Sequence, residues 1–302
     1  MLRRLGLLLG LSLLLWAGQA WARGGAVWVA LSSNDTSNLE AVDALRLGLK
    51  EVELDVRAWQ DFPANAAAPR LIVTVGSEAL NHLADLVRPA WSRVAVVALL
   101  VPRSALQKAM AAGDRRLTGI YLDQPFSRQL ALLRLAAPDL GRVGVLLGPG
   151  TRRYRNEISQ AAREAGLREA VATVDEVETL SPRLQSLLLE SDALLSLPDE
   201  TIFNAQTARH ILMASYRRRV PVIGFSPAFV RAGALMAVYS TPAQIGGQAA
   251  AMVAEGLNGK LPAVQAPSDF KVAVNATVAR SFALMLDEDR LTRLLGGEEA
   301  EP

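Results

Sequence analysis

Short apolar runs of strand length alternate with longer amphipathic stretches along this chain, and the alternation runs through twice. AVWVALSS (26–33), RLIVTVGS (70–77), RVAVVALLV (93–101) and LTGIYL (117–122) are rich in β-branched residues. Continuous apolarity of that kind suits a parallel sheet covered on both faces. VELDVRAW (52–59) alternates instead and predicts an edge strand. Between these runs, Val42, Leu45, Leu49 and Val52 keep helical spacing behind caps at Thr36 or Ser37, and 78–87 predicts a shorter helix.

The second series is RVGVLLG (142–148), EAVATV (169–174), DALLSL (192–197), VPVIGFS (220–226) and ALMAVYS (234–240), with helices expected over 151–166, 182–190 and 203–216. Ser181-Pro182 predicts a helix start, a cap followed by proline in the first turn. Three stretches echo in order between the halves. LIVTVGSEAL pairs with ALLSLPDETI, VAVVALLVPRSAL with VPVIGFSPAFV, and GIYLDQPFSRQ with MAVYSTPAQIGGQ. Strands alternating with helices imply right-handed βαβ units. The fold class expected is therefore α/β, two doubly wound parallel-sheet lobes, with crossings at 123–125 and 239–242. The predicted division gives lobe 1 residues 23–123 plus 241–295 and lobe 2 residues 124–240. A strand and helix over 269–284 form a third crossing or complete the first lobe, and 296–302 is a disordered tail.

Residues 1–22 stand outside that fold. Arg3 and Arg4 precede an apolar run from Leu5 to Ala17, and Ala20-Trp21-Ala22 is a small-x-small cleavage signal. This reads as a secretory signal peptide cleaved after Ala22. The alternative, a membrane anchor, has a run well short of the roughly 20 apolar residues a bilayer requires. Of 32 basic and 30 acidic residues the leader holds two arginines and no acid, so the remainder is formally neutral. Neutrality argues against nucleic acid as a partner. With no cysteine, thiolate nucleophiles, iron–sulfur clusters, Cys-type zinc sites and a lipidated N-terminal cysteine are excluded. The expected location is a periplasm.

Open parallel sheets bind ligands beyond the carboxyl ends of their strands, where helix N-termini point outward. Those ends carry Ser33, Ser77, Asp123 and Gln124 in the first half, and Thr151, Asp199, Phe225, Ser226 and Tyr239 in the second. Hydroxyls and amides in one half with a central aspartate in the other suit a zwitterion, the carboxylate held by the former and the ammonium by the latter. Each residue has a second reading. Ser77, Thr151 and Ser226 are helix-cap types, as is Asp199; Asp123 and Gln124 could brace a crossing; Tyr121, Tyr154, Phe225 and Tyr239 could wall a pocket or sit in the core. His82 and His210 fall well past their strand ends, away from any base or metal position, and Arg217 to Arg219 read as a solvated helix end. G-x-S-x-G, H-E-x-x-H, the phosphate-binding loop and G-x-G-x-x-G are all absent from the sequence. No enzyme, metal site or cofactor is expected.

The series TGIYLDQPFSRQLALL, RVGVLLGP, SLPDETIFN, PVIGFSPAFVRAGALMAVYS and TPAQIGGQAA resembles the ABC-transporter substrate-binding family whose members include tryptophan/tyrosine-type binding proteins. It is most specific in FVRAGAL, followed by a strand and the QIGGQ helix. The resemblance implies a type I periplasmic-binding fold with three crossings and a ligand in the cleft. It also implies an amino-acid-like ligand held by a hydroxyl after the third strand, here Ser77, and by an Asp after the second lobe's third strand, here Asp199. An inner-membrane ABC permease is the implied partner and a monomer the implied state. A sensor or adaptor domain of the same fold, docking a membrane receptor, is the alternative.

Overall fold

The computed structural model describes residues 26–62, 67–82, 93–113, 116–204 and 206–297. The leader expected from sequence and residues 298–302 of the expected tail lie outside them, while Gly296 ends the last helix. Five parallel strands, β1 (Val27–Leu31), β2 (Leu54–Ala58), β3 (Leu71–Val75), β4 (Ala95–Val101) and β5 (Leu117–Tyr121), form a sheet in the order β2-β1-β3-β4-β5. The second sheet holds β6 (Arg142–Leu147), β7 (Arg168–Thr173), β8 (Ala193–Leu195), β9 (Val222–Gly224), β10 (Met236–Tyr239) and β11 (Lys271–Val274) in the order β11-β10-β9-β8-β6-β7. Without β11, which runs antiparallel to β10, the two orders are the same. The three sequence echoes thus fall on matching strands, β3 with β8, β4 with β9 and β5 with β10.

Apolar runs become central strands because both faces are covered. Every residue of β1, β3 and β4 is buried, whereas β2, the alternating run, is a half-exposed edge. On one face of the first sheet lie α1 (Thr36–Gly48) and α9 (Pro242–Leu257), sharing a core of Val29, Leu45, Val73, Ile245 and Val253. α2 (Ser77–Asn81) and α3 (Arg103–Ala111) pack on the other through Leu80 and Leu106. The second sheet is covered by α4 (Phe126–Ala136), α5 (Arg155–Glu164), α10 (Ala276–Ser281) and α11 (Glu288–Leu295) on one side. α6 (Val177–Leu189), α7 (Ala208–Arg217) and α8 (Pro227–Ala232) close the other.

Several details differ from expectation. Asp35, rather than Thr36 or Ser37, caps α1, its carboxylate accepting the Asn38 N–H at 2.9 Å. α6 begins at Val177, so Pro182 sits inside it; that early in a helix, proline removes a single intrahelical bond. The helix expected at 78–87 is described only as far as Asn81, and 83–92 lie outside the described residues. The largest difference concerns the returning chain. α9 packs on the first sheet, as expected, but β11 pairs with β10 and α11 packs on β11 and α4, so residues 271–295 belong with the second sheet rather than the first. The segment before them covers the β5 edge, where the Gln265 N–H reaches the Gly119 carbonyl at 3.0 Å and Thr118 donates to the Pro262 carbonyl at 2.7 Å.

The chain therefore passes between sheets three times: after β5, after β10 and before β11. Gln124, Ser240 and Arg128 tie these passages together. Gln124 Nε2 donates to Ser240 Oγ at 2.8 Å, and Ser240 donates to the Asp269 carbonyl. Arg128 donates to Gln124 Oε1 at 2.7 Å and to the Pro267 carbonyl at 3.0 Å. Thr241 and Gln244 form a reciprocal capping box that starts α9 as the second passage ends.

Candidate functional site

Both sheets reverse their winding between the first and third strands, β1/β3 and β6/β8, and a crevice opens beyond the carboxyl ends there. In the first lobe the loop after β1 and the start of α1 supply Asp35, Thr36, Ser37 and Asn38 to an open groove completed by Leu100, Leu122 and Pro242. Leu100 reaches it because β4 is bulged between Leu99 and Val101, which puts Leu100 at φ +55°. Asp35 already occupies the α1 N-terminus. It accepts Ser33 Oγ at 2.5 Å and Asn38 Nδ2 at 3.2 Å, and the Ser33 hydroxyl above all holds its carboxyl below the usual range. Ser33 is thus exposed and engaged with Asp35, and Ser77 is an exposed first residue of α2, outside the groove.

The second lobe offers a smaller, more enclosed pocket. Phe126, Tyr154, Leu197, Pro198, Phe225 and Val238 wall it, with polar atoms from Asp123, Gln124, Gln129 and Thr151. Phe225 is held by stacking on Phe229, ring centroids 5.0 Å apart, and by an edge contact with Phe203. Ser226 is the N-cap of α8, accepting the Phe229 N–H, which is the cap reading of that residue. Tyr239 does not join the pocket. Neighbouring strand residues point to opposite faces, and with Val238 in the pocket wall Tyr239 lies towards Glu288 and Arg231.

Asp199 is 6% exposed, and its carboxylate takes three hydrogen bonds from its own chain. Oδ2 accepts Gly150 N–H at 3.1 Å and Thr151 Oγ1 at 2.9 Å, Oδ1 accepts Thr201 N–H at 3.1 Å, and Thr151 in turn accepts Gly148 N–H at 3.0 Å. The aspartate splints the loop after β6 to the loop after β8. A Cβ on Gly148 would lie 2.4 Å from Asp199 Oδ1, which is why glycine stands there.

Four residues join the lobes away from the crossings, and of these sequence reasoning singled out Tyr154, as a candidate pocket wall, without its partners. Arg103 of α3 pairs with Glu157 of α5 at 2.9 Å, its guanidinium 4.7 Å from the Tyr154 ring centroid and 5.4 Å from that of Tyr121. Tyr154 donates its hydroxyl to Gln107 Oε1 at 2.9 Å. Burial above all pushes the Tyr154 phenol up to about 12, so it stays a donor at any physiological pH. Among the described residues these are the hydrogen bonds that span the cleft away from the crossings. The Arg103 and Glu157 side chains are 22% and 46% exposed, which limits the pair to under about 1 kcal/mol. A lobe equilibrium balanced within a few kcal/mol still responds. Glu157→Ala is expected to open the ligand-free protein, shifting the population about fivefold at most. Spin labels on the two lobes should report longer distances; an unchanged distribution would show that the contact does not hold the lobes.

The geometry of two like sheets, three tied passages and a crevice at the switch points agrees with the comparisons. An ABC domain from Streptococcus pneumoniae solved in complex with L-Trp superposes with a TM-score of 0.58 at 20% identity, over 89% of this chain and 97% of that one. A substrate binding protein with adhesive properties from Clostridium difficile, in its ligand-free, open form, superposes at 0.65 with 13% identity, over 87% and 96%. A conserved domain protein from Vibrio cholerae gives 0.57 at 22% identity, over 90% and 98%. Among curated proteins none matches the chain in sequence. These likenesses establish the fold. The sequence profile of ABC transporter substrate binding proteins matches residues 64–294, most of both lobes and all three passages, and so the chain belongs to that family of binding proteins rather than enzymes.

Proposed function

We propose that this protein captures a small, amino-acid-like solute in the cleft between its lobes and delivers it from the periplasm to an inner-membrane ABC permease. Family membership supports a small-molecule ligand and a permease partner. The observation that carries the reading is that both voids flank the first crossing, Leu122 lining one and Asp123 the other, so a bound solute would touch both lobes and the hinge. A solute contacting both lobes favours the closed form by its extra affinity for it, and the permease can recognise that form. No bond is made or broken. The structural relative bound to L-Trp agrees with an amine-bearing solute.

Thermal-shift and calorimetric titration of residues 23–302 with amino acids and related solutes tests this. One-to-one saturable binding is expected, stabilising the protein by about 2.7 kcal/mol at a hundredfold excess over Kd. Failure of every small polar solute, together with capture of a membrane receptor domain, would replace solute delivery with the adaptor role.

A further inference from the structure

Asp199 takes three hydrogen bonds from its own chain and does not line the second-lobe pocket, whereas two acceptors that do line it meet few donors. The first is the Asp123 carboxylate. Its Oδ2 accepts the Arg103 backbone N–H at 2.6 Å, and among the described residues no side-chain donor reaches it. The nearby Arg103 guanidinium is engaged with Glu157 and the Tyr154 ring instead. The second is Gln129 Oε1. Gln129 is 3% exposed; its Nε2 donates to the Gln124 carbonyl at 3.0 Å, which fixes the amide orientation and leaves Oε1 buried with no partner. A buried acceptor without a donor costs about 1–3 kcal/mol, so a group that supplies one is favoured. Both acceptors line one pocket with the faces or edges of Phe126, Tyr154 and Phe225.

We infer that the cleft takes a solute carrying a protonated nitrogen, and that this nitrogen is held by Asp123 at the first crossing with Gln129 Oε1 as second acceptor, not by Asp199. The inference rests on the solute-capture reading and specifies its ligand. Carboxylate, amide oxygen and aromatic walls together match an ammonium or similar cation. The second-lobe pocket has room only for a group of about water size, so the charged nitrogen alone enters it, and the open first-lobe groove on the other side of the Leu122–Asp123 crossing takes the rest of the solute.

Burial pushes the Asp123 carboxyl above the ordinary range, opposed by the Arg103 N–H, its own N–H and the Arg103 charge. Tyr121, Tyr154 and Glu157 are the other titratable groups around it. A folded-state pKa above the unfolded one means that the ionised carboxylate costs stability at neutral pH, a cost that vanishes as pH falls. Asp123→Asn, which keeps an acceptor for Arg103, is therefore expected not to lower Tm at pH 7.

Calorimetry with L-tryptophan, L-phenylalanine and L-lysine, the amines tryptamine and phenethylamine, the deaminated acids indole-3-propionate and 3-phenylpropionate, and D-ribose makes the test. The binders are expected to carry a protonated nitrogen, and Asp123→Asn to weaken them about 10- to 100-fold with Tm unchanged or raised. Wild-type affinity should fall as pH is lowered through a range above that of an ordinary carboxylate, and this slope should be absent in the variant. Tightest binding of ribose or of a deaminated acid would overturn the cation assignment while leaving solute capture intact. Equal affinity in wild type and Asp123→Asn, or loss of binding in Asp199→Asn at unchanged Tm, would overturn the role of Asp123. Silence across the panel would sink both readings together.

Discussion

Asp199→Ala is expected to lower the unfolding free energy by about 3 kcal/mol, and Asp199→Asn by roughly half as much. The alanine leaves three donors, the N–H groups of Gly150 and Thr201 and the Thr151 hydroxyl, without their acceptor in a region where Thr151 is 2% exposed. Each orphaned donor costs about 1–3 kcal/mol. Water entering from the adjoining pocket would recover part of that loss, which places the sum near the lower end. Asparagine retains one oxygen and can satisfy one side of the splint. Gly148→Ala should act in the same direction, since its methyl would meet both carboxylate oxygens within 2.6 Å. Urea denaturation followed by circular dichroism measures all three variants. A loss below about 1 kcal/mol for Asp199→Ala would show that the loop does not depend on this carboxylate and would return Asp199 to the ligand.

The strands were legible because parallel sheets sandwiched by helices need unbroken apolar runs, and Leu71–Val75 and Ala95–Val101 supply them. Duplication was legible for the same reason, since matching strands face matching environments. Helix boundaries were less so. Ser181-Pro182 has the chemistry of a helix start, yet Val177 to Leu180 continue the helix backwards because Leu180 and Leu184 bury on one face. Propensity yields there to tertiary packing. The membership of β11 depended on a pairing between residues 38 positions apart, Met236 with Val274, and no local pattern encodes it.

Strand-end position found Asp123, Gln124, Thr151 and Phe225, all of which line the second-lobe pocket. Their division of labour could not be found that way. Asp123 and Asp199 look alike as loop carboxylates, and what separates them is the number of donors each meets, some from residues nearly fifty positions distant. Gln129 and Glu157 lie on helices past the strand ends, so their service to the pocket and cleft depends on how α4 and α5 are rotated against the sheets. One signal was available: Gln129 sits among Phe126, Leu130 and Leu133 on an otherwise apolar buried stripe, where a polar residue invites a search for its partner.

Two adjacent glycines in α9 should respond to alanine with opposite sign. At Gly246 a Cβ would lie 2.0 Å from the Ala41 carbonyl oxygen and 2.8 Å from its carbon, both backbone atoms of α1. The helices approach closely there, and nearby a Cβ on Gly48 would lie 2.4 Å from the Ala250 Cβ. No rotamer relieves a clash with backbone, so Gly246→Ala must push α9 away from α1, at a cost of about 1–3 kcal/mol or more that outweighs the roughly 1 kcal/mol gained in helix propensity. Gly247 faces solvent with nothing within 4 Å of its Cβ, and Gly247→Ala should stabilise by up to about 1 kcal/mol. The displacement also reaches the cleft, because Asp35 to Asn38 at the start of α1 and Pro242 at the start of α9 line one groove. Gly246→Ala should therefore weaken solute binding as well as stability, whereas Gly247→Ala leaves affinity as it is. Equal stability changes at the two positions, measured by urea denaturation, would mean that α1 and α9 do not touch through Gly246 and that the second passage is held by other means.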